Sequence, residues 1–183
     1  MTIEAMTTWL LGAMVAWSPP EAHLKEGAPA ALARYETIAR DLAVVALDPN
    51  EKPLFEGATG RAQTALLLAA VASMESDFRK SVDTGKLRGD NGRSWCILQI
   101  QVYGKTPQQW TGQDLVDDRK RCFRAGLSVM RESFRICSKL PIEYRLSGYT
   151  SGSCYEEPLA KARTRRAFSY WKKKPFTPPP EPA

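Results

Sequence analysis

Glu75 ends an apolar run, Arg61 to Met74. Ser76 follows it, then a loop rich in Gly and Asp (Gly85, Gly89, Asp90, Gly92). A carboxyl group at the C-terminal end of a buried helix feels two effects of one sign. Burial penalises its charged form, and so does the negative helix pole. The expected result is a raised pKa, which suits a general acid near neutral pH. A protonated carboxyl in an apolar wall is what breaking a glycosidic bond requires. If a second carboxylate takes part, as in the inverting case, it holds a water and the two carboxyl groups stand about 6.5–9.5 Å apart. Asp90, before Asn91-Gly92, reads from the residues alone as a turn residue. Asp77 is expected to point away from the site, and Asp83 has no motif around it.

Composition narrows the chemistry to carboxylates. The single histidine, His23, lies in the Pro- and Glu-rich stretch after Ser18, far in sequence from Glu75. A Ser-His-Asp or Cys-His mechanism would have to be built on it. His-ligated zinc needs more imidazoles, and the cysteines show no CxxC spacing, so no metal or cofactor is expected. The four cysteines, Cys96, Cys122, Cys137 and Cys154, fit two disulfides and an oxidising compartment, or four reduced buried thiols. If Cys122 and Cys137 share one helix they are roughly 22 Å apart, so each should pair instead with Cys96 or Cys154, in an order left open.

The elements that must position these groups read as mainly helical. The 183 residues are 43% apolar and 25% charged, ample for one domain with a real core. Ala5 to Trp17 is apolar. Glu4 is the only charge ahead of it and Pro19-Pro20 follows, so it reads as a packing helix rather than a cleaved signal. Leu32, Tyr35, Ile38, Ala39, Leu42, Val45 and Ala46 recur at helical spacing, opened by Pro29 and closed before Pro49. Arg61 to Glu75 is apolar on nearly every side, hence a central buried helix. Ser81 to Ser94 reads as loop and Trp95 to Val102 as one or two short strands, which would put Gln99 on a strand. Helical pattern resumes over Leu115, Phe123, Leu127, Met130 and Phe134, restarts after Pro141 toward Tyr149, and returns over Pro158 to Trp171. The tail Lys172 to Ala183 holds three lysines and five prolines and is expected to be extended or disordered. The division expected is an N-terminal helical segment (1–57) packed on a catalytic domain (58–171), then the tail (172–183).

The order of the pieces resembles a known family. Glu75-Ser76 is followed by Gly89-Asp90-Asn91-Gly92-Arg93-Ser94, then by Cys96-Ile97-Leu98-Gln99-Ile100. About 50 residues on comes Ser147-Gly148-Tyr149-Thr150-Ser151-Gly152. This series is similar to that of soluble lytic transglycosylases and goose-type lysozymes, over about residues 58–155. Their segments are Glu-Ser, Gly-Leu-Met-Gln and Ala-Tyr-Asn-Ala-Gly. Cys96 stands in place of the first Gly, Ile97-Leu98 in place of Leu-Met, and Thr150 in place of Asn. The resemblance implies an α+β lysozyme-like fold, with a helical lobe and a small β element flanking a cleft. It implies cleavage of the β-1,4 bond between N-acetylmuramic acid and N-acetylglucosamine in peptidoglycan. Glu75 would be the acid, with Asp90 as second carboxylate in the goose-type variant. Ser76, Ser94, Gln99, Ile100 and Tyr149 would line the substrate, Tyr149 orienting Glu75 or the sugar.

Such an enzyme would work in the periplasm or outside the cell, by atypical export or as a phage lysis or virion protein. A non-catalytic module that binds glycan or serves a larger assembly is the alternative. The net charge of +6 favours polyanionic partners. The basic segment Lys161, Arg163, Arg165, Arg166, Lys172, Lys173 and Lys174 reads as a solvated face or as a contact to anionic wall polymer or membrane. No nucleic-acid-reading motif is present, so no nucleic-acid partner is expected.

Overall fold

Proline, glycine and polar caps set the helix boundaries. A computed structural model describes residues 1–177. Helix α1 (Ile3–Trp17) is capped by Thr2, whose side chain accepts from the Ala5 amide, and it ends before Pro19. Helix α2 (Ala28–Leu47) carries Pro29 in its first turn and stops before Pro49. Helix α3 (Gly60–Ser76) has 13 of its 17 residues buried, and α1, α2 and the last helix, α8 (Pro158–Lys173), pack around it. Its Ala-rich faces let these neighbours approach closely, while Leu66, Leu67 and Leu68 supply the bulk. Each such leucine, fully buried, contributes about 1.5–3 kcal/mol. The fold is mainly α with one small β element, as the pattern of apolar residues implied.

Two boundaries differ from the sequence expectation. The apolar spacing from Leu115 to Phe134 belongs to two helices, α5 (Gly112–Asp117) and α6 (Arg119–Ile136). Asp118 between them is extended, and its side chain accepts from the Lys120 amide to start the second. Arg119 then reaches Asp83 at 2.8 Å and Asp41 at 2.6 Å, tying the start of α6 to α2 and to the short α4 (Lys80–Asp83). After Pro141 the chain makes a 3-10 turn and then α7 (Ser147–Ser151).

Strand β1 (Ser94–Trp95) pairs antiparallel with β2 (Ile100–Gln101). The turn between them plunges inward, burying Cys96, Ile97 and Leu98 in the core. It rests on α6 at Gly126, where a Cβ would lie 2.3 Å from Leu98 Cδ1, so only glycine allows the approach. Gln99 lies in this turn at φ 50°, not on a strand. Disulfide Cys96–Cys122 fastens the turn to α6, and Cys137–Cys154 fastens the end of α6 to the segment after α7. Cys122 and Cys137 do not bond to each other, and two disulfides fit an oxidising compartment.

The N-terminal apolar segment forms α1 and places Met6, Leu10, Ala13 and Met14 in the core. The start of the tail does not follow expectation. Lys172 and Lys173 complete α8, and Phe176 is buried against Trp9 at a centroid distance of 5.3 Å. The apolar ring makes docking favourable despite the prolines around it. The rest of the tail, 178–183, lies outside the described residues. Among the described residues no helix is long and apolar enough to cross a membrane.

Candidate active site

Glu75 sits in the last turn of α3 and lines a cleft of about 580 Å³. The far walls come from the loop before β1, from the β-turn and β2, and from α7. Arg163, on α8, donates through Nη2 to Glu75 Oε1 at 2.5 Å. Among the described residues no protein group donates to Oε2, so that oxygen is free to carry a proton. Burial pushes the Glu75 carboxyl above the ordinary carboxylate range, Arg163 pulls it back, and the charge of Asp90 adds to the rise. Its side chain is 19% exposed and that of Arg163 only 8%. Loss of solvent on both sides of the pair is why burial outweighs the attraction.

Asp90 is the opposite case. It is exposed, and both its hydrogen bonds fall on Oδ2, from Ser94 Oγ at 2.5 Å and Gln101 Nε2 at 2.9 Å. The Ser94 and Gln101 donors hold its pKa below the ordinary value. Among the described residues Oδ1 has no donor, which leaves it open to a water. The two carboxyl groups of the cleft are therefore pushed apart in acidity, one toward proton donor and one toward permanent anion.

Of the residues expected at the site, Glu75, Asp90, Ser94, Gln99, Ile100 and Tyr149 line one cleft. Ser76 does not. It is buried, its Oγ donates to the Ala72 carbonyl at 2.7 Å and accepts from the Phe78 amide at 3.2 Å. It closes the end of α3, where Asp77 and Phe78 turn at positive φ (50° and 48°). Gln99 braces the loop rather than standing free: Oε1 accepts from the Gly89 amide and Nε2 donates to the Cys96 carbonyl, both at 2.9 Å. Gly89 must be glycine for this, since a Cβ there would lie 2.6 Å from Gln99 Oε1. The Tyr149 hydroxyl is likewise committed, donating to the Leu98 carbonyl at 2.6 Å instead of to Glu75. Burial, with the Glu75 charge behind it, keeps this phenol neutral.

No family model matches this chain, and no curated protein or solved structure matches it either. Function therefore has to be argued from the cleft itself. Among the described residues no three His, Cys, Asp or Glu side chains cluster where they could hold a metal ion.

Arg163 is the residue that sequence reasoning missed. Besides Glu75 it donates to Thr150 Oγ1, and its guanidinium lies 5.7 Å from the Tyr149 ring centre. Among the described residues its buried Nε has no partner. The spacing of Ala160, Arg163, Thr164, Ala167 and Tyr170 puts it on the buried face of α8. That spacing was available in the sequence, but the neighbouring cations masked it. The basic segment is thus no single solvated face, because Lys161 also turns to a partner, Glu143 Oε1 at 3.4 Å. Neither Trp95 nor Trp110 lines this cleft: Trp95 is covered by Arg88 at 4.2 Å from its ring centre, and Trp110 packs on the core.

Proposed function

We propose that this protein cleaves the β-1,4 bond between N-acetylmuramic acid and N-acetylglucosamine in peptidoglycan, as a lytic transglycosylase. The observation that carries the reading is Glu75 at the cleft wall, desolvated, with a raised pKa and an unoccupied Oε2. In the first half of the reaction Oε2 gives its proton to the leaving O4 as an oxocarbenium-like centre forms at C1. In the second half the Glu75 carboxylate takes the proton of the sugar's own 6-hydroxyl. O6 then bonds to C1, closing a 1,6-anhydro ring and restoring the acid. One further detail supports the resemblance behind this reading. Cys96, standing where that pattern has glycine, adopts φ 56°, a backbone state natural to glycine and held here by the disulfide to Cys122.

A second reading is inverting hydrolysis, favoured by Asp90: it lines the same cleft, is held ionised, and keeps Oδ1 open for the attacking water. The substrate would put the protein in the periplasm or outside the cell, which the two disulfides suit. Delivery by a phage is compatible with the same chemistry.

Mass spectrometry of digested peptidoglycan separates the outcomes. Anhydromuropeptides mean transglycosylase and reducing muropeptides mean hydrolase. If no product forms while the protein still pellets with wall fragments, the catalytic reading is lost and a glycan-binding module remains. Glu75→Gln is expected to lower the rate at least about 100-fold, the lower end of what a general acid supplies, while leaving pelleting intact.

A further inference from the structure

We propose that the groove between α1 and α8 is a binding site for a linear phosphodiester polymer without bases. The groove encloses about 430 Å³, and Arg165, Arg166, Lys173 and Lys174 line it together with Trp17 and Tyr170. Among the described residues no carboxylate lines it. Among the described residues none of these four cations forms an ion pair. The contrast within α8 is sharp, since Lys161 and Arg163 are both paired, at 3.4 Å and 2.5 Å. Six other arginines, Arg34, Arg119, Arg121, Arg124, Arg131 and Arg135, also find carboxylates. Positive charge has been left uncompensated in a concave place.

The chemistry of the occupant follows from the lining. Arginine forks and lysine point charges together suit phosphate oxygens. Arg165 and Lys173 are eight residues apart on one helix, about 12 Å along its axis, a span that takes in more than one charged group of an extended chain. A lipid surface fits less well. Interfacial binding needs apolar side chains that project, whereas Tyr170 is 9% exposed and Trp17 packs edge-on against it at 5.6 Å. The same recessed aromatics offer no platform on which bases could stack, which argues against single-stranded nucleic acid. Arg166 also donates to Ser73 Oγ at 2.5 Å, one helical turn beyond Arg163, so the groove lies beside the cleft and shares none of its lining residues. The site stands whether or not Glu75 is catalytic.

A soluble glycerol-phosphate oligomer titrated against the full chain tests this. Four contacts on a single strand should weaken binding about 50-fold between 50 and 200 mM salt. In the double variant Arg165→Gln/Lys173→Gln, both exposed positions, that salt effect should fall to about sevenfold. Lys25→Gln/Lys86→Gln removes the same net charge on another face and should leave the salt effect unchanged. Unaltered melting temperatures show that both variants fold. The proposal is overturned if the oligomer does not bind. It also fails if the two variants weaken binding alike. Tighter binding to phosphatidylglycerol vesicles or to a single-stranded DNA oligonucleotide would point to a different occupant and likewise overturn it.

Discussion

Glu75 and Arg163 set each other's chemistry. The 2.5 Å contact opposes the burial that raises the carboxyl's pKa. Arg163→Met removes the opposing charge and keeps most of the side-chain volume. The Glu75 carboxyl is then expected to titrate at higher pH, carrying the alkaline limb of activity upward with it. A pH–rate profile and a carbon-13 NMR titration of the carboxyl check this, and a limb that stays put or moves down refutes it. The stability sign runs the same way. A folded-state pKa above the unfolded value means the fold holds the proton longer. Stability therefore falls as pH rises from the unfolded value through the folded one, and more steeply in the variant. Asp90 has the reverse sign, but its exposure leaves little stability at stake. The acidic half of the cleft was legible because helix-end burial is a one-dimensional pattern. The supporting bonds of Ser76, Gln99 and Tyr149 were not, because each depends on a positive φ or a distant carbonyl that no local spacing reports.

Two covalent ties hold the elements that carry the cleft. Cys96–Cys122 spans 26 residues and fixes the β-turn; Cys137–Cys154 spans 17 and fixes the segment after α7, next to Tyr149 and Thr150. Chain-entropy arguments assign about 3 kcal/mol to loops of this length. Cys137→Ala/Cys154→Ala is expected to lose about that much stability in urea unfolding. Amide exchange should rise over 147–154 and stay unchanged over 94–101. The Cys96→Ala/Cys122→Ala pair should give the opposite map, and identical maps would contradict separate roles for the two bonds. Long helices were readable from spacing and proline. The inward turn was not, since Cys96 and Gln99 are residue types that rarely take positive φ. Nor was the break at Asp118, because the apolar period runs through it and only the capping bond ends one helix and begins the next.

At the scale of the molecule, the two ends of the described chain close on each other. Trp9 of α1 meets Tyr170, Trp171 and Phe176 edge-on, at 6.1, 5.6 and 5.3 Å between ring centres. Its indole Nε1 donates to the Lys174 carbonyl at 2.9 Å. This clamp joins α1 to α8, and Arg163 of α8 bonds Glu75, so the last described residues brace the helix that carries Arg163. Phe176→Ala should cost about 3 kcal/mol through the cavity it leaves. If the clamp is a unit, Trp9→Ala and Phe176→Ala will not add. A double-mutant cycle should then return a coupling of about 0.5–1.5 kcal/mol, the range for aromatic pairs. Additive losses would mean that the tail merely covers α1. Activity adds a second readout. Because Glu75 and Arg163 keep their own contacts, Phe176→Ala should leave the position of the alkaline limb unchanged at temperatures where the protein is folded, and only the unfolding temperature should drop.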